Sequence, residues 1–274
     1  MNPAKCSIKA DFLELQGRKL FYLLLQPVFV RAHGSVLFLP PFAEEMHQSR
    51  HIIAAQAREL AALGYNVMLF DLTGCGDSSG DFADATWQMW LQDAACAVHG
   101  LANLGAGPLI LWGLRMGALL ACDLSQDRLD VDKLILWQPL LNGEQQVDQF
   151  LRLRTAIAVT GKPPTFDRKT LWNELRSGRS LDIAGYTLSP ALALQLAKAR
   201  LNDLKPGCPV HWLEIGALPD GALSVASANV LAHWREQGTT VQAEYVYGEP
   251  FWRTINADVN PILQRNTLDA LARP

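Results

Sequence analysis

The sequence predicts an α/β fold, a mostly parallel sheet with helices on both faces. Short continuous apolar runs, such as residues 35–39 and 65–70, have strand length and no polar alternation. Strands buried on both faces read this way. Between them lie stretches with apolar residues at helical spacing, and the two kinds alternate along most of the chain. That alternation is the mark of crossover connections over a parallel sheet.

The elements follow in order. Residues 7–15 and 19–25, joined at Gly17–Arg18, read as an antiparallel hairpin. Residues 35–39 form a buried strand that stops at Pro40 and Pro41, which cannot donate to a ladder. Ile52, Ile53, Ala57, Leu60 and Leu63 give helical spacing over residues 48–63, and Gly64 closes that helix. Residues 65–70 are the next buried strand, followed by a turn-rich loop over 71–81 and a helix over 86–104. Residues 108–112 and 133–137 read as strands, with a helix over 116–124 between them. The alternation then pauses. Helical stretches at 146–158, 168–176 and 190–199 have no obvious strand among them. It resumes with strand 210–215, helix 224–236, strand 241–247 and a last helix near 261–272. We therefore expect a core made of residues 1–138 and 206–274. Residues 139–205 are expected to form a helical cap over the carboxyl edge of the sheet, where open α/β sheets bind ligands.

Composition excludes several classes of function. Of 274 residues, 49 % are hydrophobic and 19 % charged, which is far from a disordered chain. Lys and Arg number 24 against 27 Asp and Glu, so no basic excess exists to neutralise nucleic-acid phosphates. No apolar run reaches the ~20 residues of a membrane span. Met1 to Ala10 has no apolar leader segment. The five cysteines are widely spaced with no CxxC pair, so reduced thiols and a cytoplasmic location are expected. No metal or cofactor is expected. His47 and His51 are four apart, but the glutamate of an H-E-x-x-H pair is missing. Gly74-x-Gly76 lacks the third glycine of a dinucleotide loop.

The segment Leu109-Ile-Leu-Trp-Gly113-Leu-Arg115-Met-Gly117 runs from a strand through a glycine-flanked turn into a helix. It has the shape of the nucleophile elbow G-x-S-x-G, with Arg115 where serine would stand. Around it the chain resembles the α/β-hydrolase family over nearly its whole length. The likeness includes the leading hairpin, the Pro-Pro-Phe loop at 40–42 and the Asp71…Gly74-x-Gly76-x-Ser78 loop. More narrowly, Pro40-Pro-Phe-Ala-Glu-Glu-Met46, Gly74-Cys-Gly-Asp-Ser-Ser-Gly80, Trp112-Gly-Leu-Arg-Met-Gly117 and Gly248-Glu-Pro-Phe-Trp252 resemble the bacterial exosortase-A-system-associated hydrolases. That resemblance implies an acyl or ester hydrolase fold, a small-molecule ligand or substrate, and possible partners among exopolysaccharide-system proteins.

The departures from that family set the functional expectation. A triad in this fold runs Ser, acid, His in chain order. Asp220 stands where the acid would be, although an aspartate before Gly221 is equally an ordinary turn residue. No histidine follows His233, and the segment after the last strand reads Tyr247-Gly-Glu-Pro-Phe-Trp-Arg253. Glu249 stands near the expected histidine position. Cys75, Ser78 and Ser79 lie on the correct edge, with no histidine that the sequence places beside them. Arg115 either pairs with an internal carboxylate or offers a forked guanidinium to a bound anion at a helix start. Its candidate partners are Glu44 or Glu45 first, Glu249 second and Asp220 third. The expected site is Arg115, Asp220 and Glu249 at the former triad, with Phe42, Glu44, Glu45, Met116 and Trp252 lining a ligand cleft. Of the tryptophans, Trp87, Trp90, Trp112, Trp172 and Trp252 fit such a cleft and fit a large core equally well. Two readings remain open. One is a binding protein on a hydrolase fold that has lost its triad. The other is a hydrolase of an ester, thioester or acylated saccharide that uses non-standard residues.

Overall fold

The computed structural model describes residues 6–28, 30–105, 107–126, 130–156 and 167–272. The expected helix over 146–158 therefore runs out of the described residues at its end.

The chain opens with β1 (Cys6–Leu15) and β2 (Arg18–Pro27), paired antiparallel with Leu15 opposite Arg18. The turn is Gln16–Gly17, not Gly17–Arg18: both residues have positive φ, 51° and 82°, as a two-residue hairpin turn requires. Then follow β3 (Gly34–Leu39), α1 (Glu44–Ala62), β4 (Tyr65–Phe70), α2 (Trp87–Ala102), β5 (Leu109–Leu114), α3 (Met116–Leu124) and β6 (Lys133–Trp137). The 139–205 region holds α4 (Gly143–Ala156), α5 (Arg168–Arg176), β7 (Leu181–Ile183), β8 (Tyr186–Leu188) and α6 (Pro190–Leu196). The chain closes with β9 (Val210–Gly216), α7 (Val225–Glu236), β10 (Val241–Tyr247) and α8 (Pro261–Ala272).

Eight strands form one sheet in the order β1-β2-β4-β3-β5-β6-β9-β10. Every neighbouring pair from β4 to β10 is parallel, and β2 is antiparallel to both of its neighbours. This is the mostly parallel, helix-covered sheet of the α/β-hydrolase fold. The central strands β3 and β5 are buried at every residue, which accounts for their apolar runs, broken only by Ser35 at the start of β3. One apolar layer centres on α2, α3 and the 139–205 region; the other centres on α1 and α8.

Two local expectations fail. The first helix begins at Glu44 rather than near Gln48, because Ala43 takes φ 49° and ψ −119° and swings the chain at once into α1. No side chain caps that start, so the sequence carries no cap signal there. The 139–205 region also contains the two-stranded β7-β8 sheet, joined through Ala184 and Gly185 at φ 50° and 87°. Its strands do not belong to the main sheet.

Candidate functional site

Three loops at the carboxyl edge of the sheet define the site. After β5 the chain turns at Arg115, which has φ 56° and ψ −114° and immediately precedes α3. A non-glycine residue at positive φ is strained, and such strain gathers where a side chain must be presented at the top of a sheet. Gly113 and Gly117 make the turn possible by close approach. A Cβ on Gly117 would lie 2.0 Å from the Leu39 carbonyl oxygen, and one on Gly113 would lie 2.5 Å from the Gly117 oxygen. After β3, Ala43 turns in nearly the same conformation as Arg115 and delivers Glu44 and Glu45 in the first turn of α1. After β10, Phe251 and Trp252 are buried against the sheet layer that contains α1.

Of the four candidate acids, Glu45 is the one the fold brings to Arg115. Arg115 Nε and Nη2 donate to Glu45 Oε1 at 3.2 and 3.1 Å. Both side chains are nearly inaccessible, at 7 % and 5 %. Nη2 also donates to Gln149 Oε1 on α4 at 2.5 Å, and Arg253 Nη2 donates to the same oxygen at 2.7 Å. The guanidinium carbon of Arg115 lies 5.3 Å from the Trp252 ring centre, a cation–π contact. One arginine thus ties together α1, α4 and the closing loop. An arginine in such a buried place cannot shed its proton, so fixed partners are what allow it to be there.

Glu249 and Asp220 are exposed in the loops after β10 and β9, and neither is a partner of Arg115 in the described structure. Each lies in a surface loop, whereas Glu45 rides a helix that begins beside the elbow. Phe42 is not a free cleft wall: it sits edge-on to Phe82, Trp90 and Phe150, at 5.5, 5.9 and 5.1 Å between ring centres. Trp112 packs between Phe38 and Trp137 inside the sheet layer. Trp87 donates to Asp123 and Trp90 to the Thr73 carbonyl. Trp172 donates to Asp148. Of the five tryptophans, Trp252 is the one whose ring stacks on the Arg115 guanidinium.

Two cavities adjoin the elbow. The larger, about 340 Å³, is lined by Glu44, Glu45, Gln48, Gln146, Gln149 and Trp252 among others. Around it Glu44 Oε2, Glu45 Oε2, Gln48 Oε1, Gln146 Oε1 and Trp252 Nε1 are buried without a hydrogen-bond partner. Burial pushes the Glu44 carboxyl up to about 7, with the Glu45 charge adding to the rise and Arg253 opposing it. Burial also pushes Glu45 up, and the Arg115 guanidinium pulls against that rise. Sequence reasoning missed Gln48, Gln146, Gln149 and Arg253, since neutral amides and a surface arginine carry no motif.

The smaller cavity, about 80 Å³, is lined by Met116, Ala43, His47, Asp71, Cys75 and Tyr186 among others. The fold therefore does bring a histidine and Cys75 to one cavity, against the sequence expectation, because α1 starts early enough to put His47 over the 71–81 loop. Burial, reinforced by Asp71 and Asp93, pushes the Cys75 thiol up to about 12. A thiol so placed is a poor source of nucleophilic thiolate. His51, the other half of the histidine pair, bonds the Ala257 carbonyl at 2.6 Å. Among the described residues no group of three or more His, Cys, Asp or Glu is arranged to hold a metal ion. No helix of the described residues is long and apolar enough to cross a membrane.

Comparisons with known proteins agree with this architecture. The Hydrolase_4 family model, described as serine aminopeptidase, S33, matches residues 31–178. No curated protein matches the chain. Among solved structures, Est1E from Butyrivibrio proteoclasticus with bound ferulic acid superposes with a TM-score of 0.67 at 17 % identity, over 96 % of this chain and 99 % of that one. DcsB in complex with its substrate analogue gives 0.66 at 15 % identity, over 97 % and 98 %. The α/β hydrolase GrgF from Penicillium sp. sh18 gives 0.65 at 18 % identity, over 98 % of both chains. At these identities the likeness is one of fold.

Proposed function

For a chain that belongs to the Hydrolase_4, serine aminopeptidase S33 family, we propose a binding role on a hydrolase scaffold whose Ser-His-acid relay has been lost. The observation that carries the reading is Arg115. It occupies the elbow in the strained conformation of a nucleophile, yet its side chain is a guanidinium locked onto Glu45 and Gln149. A guanidinium has no lone pair to attack a carbonyl and cannot take up a proton. No histidine follows His233 in the chain, so the base of the relay is missing too.

The ligand cleft of this reading is the 340 Å³ cavity beside the elbow, with residues 139–205 as its cap and the remaining chain as core. Glu44, Glu45, Phe150 and Trp252 form its walls. The ligand of this reading is small and either anionic or acyl: Arg115 already spends donors on Glu45 and Gln149, while Arg152 and Arg253 line the cavity beside the buried oxygens of Glu44, Gln48 and Gln146. The four motif likenesses support a place beside exosortase and exopolysaccharide proteins of bacteria, and the unpaired cysteines support the cytoplasm.

One observation favours a second reading, a hydrolase of an ester, thioester or acylated saccharide. Cys75, His47 and Asp71 line a common cavity beside Met116. The high thiol pKa weighs against it.

A single experiment separates the two. The protein is incubated with short-chain p-nitrophenyl esters and thioesters, and separately with a fluorophosphonate probe. The binding reading expects no saturable turnover and no stoichiometric label. Turnover that disappears in Cys75→Ala would establish the second reading, and a labelled serine would overturn both.

A further inference from the structure

The eight-stranded sheet ends on β1, and that edge is long and open. Ten residues of β1 pair with β2 and, among the described residues, with no strand on the other side. The hydrogen bonds of β2 show which groups of β1 face outward. Phe21 stands opposite Phe12, but its N–H donates to Ser78 Oγ at 2.9 Å and its carbonyl accepts from Asp71 N at 2.9 Å. Lys19, opposite Glu14, likewise exchanges bonds with Ser79 at 2.8 Å. Both residues point their backbone groups away from β1, so Phe12 and Glu14 are in non-hydrogen-bonded pairs and their own N–H and C=O groups face out. By the two-residue period, those of Cys6, Ile8 and Ala10 face out too. The Phe12 N–H reaches only its neighbour's carboxylate, Asp11 Oδ1, at 2.9 Å.

The side chains along this edge are also unusual for one left in solvent. Ile8 and Phe12 are 53 % and 45 % exposed on one face. Lys9 and Asp11 sit on the other face, paired to each other at 2.6 Å and half-exposed. Protected edges are short, bulged or marked by charged residues and proline; this one is ten residues and regular, its Lys9 and Asp11 charges neutralise each other, and one face is apolar from Cys6 through Ile8 and Ala10 to Phe12 before it ends at Glu14.

We propose that two copies of this chain join edge to edge, β1 against β1, antiparallel about a two-fold axis at Ala10. The sequence is self-complementary over residues 8–12 in that register, with Ser7 opposite Leu13 and Cys6 opposite Glu14 beyond them. Ala10 meets the partner's Ala10, Ile8 meets the partner's Phe12, and Lys9 meets the partner's Asp11, each of the last two occurring twice. The register also matches the backbone. The residues that oppose one another at Ala10, Ile8 and Phe12 are those whose N–H and C=O groups face outward; once the Phe12 N–H exchanges Asp11 Oδ1 for the partner strand, each pair exchanges two bonds. From Cys6 to Glu14 that gives about ten main-chain hydrogen bonds across the axis. Two-fold symmetry makes both halves of the contact the same patch, as an isologous dimer requires. The two sheets then continue as one.

Sedimentation equilibrium on the full chain, up to about 100 µM, tests this. The expected result is twice the chain mass. Asp11→Lys puts Lys9 opposite lysine at two places and should weaken the dimer about tenfold or more. Lys9→Asp with Asp11→Lys exchanges the charges, restores opposite pairs and should return the wild-type affinity. Ala10→Pro removes the N–H on the axis, and an edge strand tolerates proline there, so it should give a folded monomer with unchanged circular dichroism. A wild-type monomer at the highest concentration overturns the proposal. So does an Asp11→Lys variant that dimerises like wild type, or a charge-exchanged variant that stays monomeric while its circular dichroism is native.

Discussion

Arg115 grips a single oxygen of Glu45, Oε1, from both Nε and Nη2, and the other oxygen, Oε2, is left buried without a partner. The pair is therefore strongly asymmetric. The guanidinium satisfies two donors on one atom, and the carboxylate surrenders half of its acceptor capacity to a dry environment. Such a pair is worth little to stability by itself, because desolvating two charges offsets their attraction. Its effect appears when one partner is taken away.

Arg115→Ala should destabilise the protein by about 3–5 kcal/mol at pH 8, since it leaves Glu45 as an uncompensated buried charge. The loss should shrink toward pH 5, because a carboxyl already raised by burial then takes a proton and becomes neutral. Replacing both residues by leucine should recover most of the stability lost by the single change. Urea denaturation of the three proteins at the two pH values measures this. Equal losses for the single and double variants would show that the charge itself is unimportant.

Glu44 gives a separate pH signature. Its folded-state value is raised to about 7 from the ordinary 4.5, chiefly by burial. The folded protein therefore holds a proton that the unfolded chain has released over that interval. Stability contributed by neutral Glu44 is fully present near pH 4.5, falls as pH rises toward 7, and is flat above. Discounted for its partial exposure, the change is on the order of 1–2 kcal/mol. Glu44→Gln should remove that slope and melt higher than wild type at pH 8. Thermal melts of both proteins from pH 4.5 to 8.5 should converge at the acid end; parallel curves would count against a raised Glu44.

The core strands were legible because burial on both faces leaves long apolar runs, as in residues 36–39 after the buried Ser35 and in Leu109–Leu114. The elbow was legible for a different reason: Gly113 and Gly117 are needed for contacts no side chain allows. The start of α1 was not legible, since Ala43 bends the backbone without any capping side chain. That one turn decides the site, because it carries Glu45 to Arg115 and His47 to the cavity of Cys75. Gln149 and Arg253 come from α4 and from the closing loop, and their meeting depends on packing between segments 104 residues apart. The β7-β8 hairpin did have a signal, alternating Leu181, Ile183, Tyr186 and Leu188 around an Ala-Gly turn. Its strands are only three residues each, too short for the alternation to stand out.

On the binding reading proposed above, a serine at the elbow should not make an esterase. Arg115→Ser places a hydroxyl on the elbow, but no histidine follows His233 to take its proton. Oxyanion stabilisation alone leaves a residual of about 10³–10⁴ over water, well short of an esterase. Assays with p-nitrophenyl acetate and butyrate should give the same background for wild type and variant. A clear gain would mean that another group, such as His47 in the cavity that Met116 also lines, can act as base.

Gly117 offers the sharpest structural test of the elbow. A methyl group there would meet the Leu39 carbonyl oxygen at 2.0 Å, its carbon at 2.5 Å and the Pro40 oxygen at 2.7 Å. All three are backbone atoms of a buried strand end, so none can rotate away as a flexible side chain could. Relief requires α3 to move off β3, and α3 carries Arg115 at its start. Overpacking of this kind costs about 1–3 kcal/mol, and more where backbone must shift. Gly117→Ala should therefore destabilise at the upper end of that range. It should also loosen the Arg115–Glu45 pair, so that a further Arg115→Ala change costs less in the Gly117→Ala background than alone. Gly207 is the control: it is exposed, with nothing within 4 Å of an added Cβ, so Gly207→Ala should be near neutral. Denaturation midpoints of the single and double variants decide the matter. Additive losses at Gly117 and Arg115 would show that the close helix contact and the charge pair are independent features of the fold.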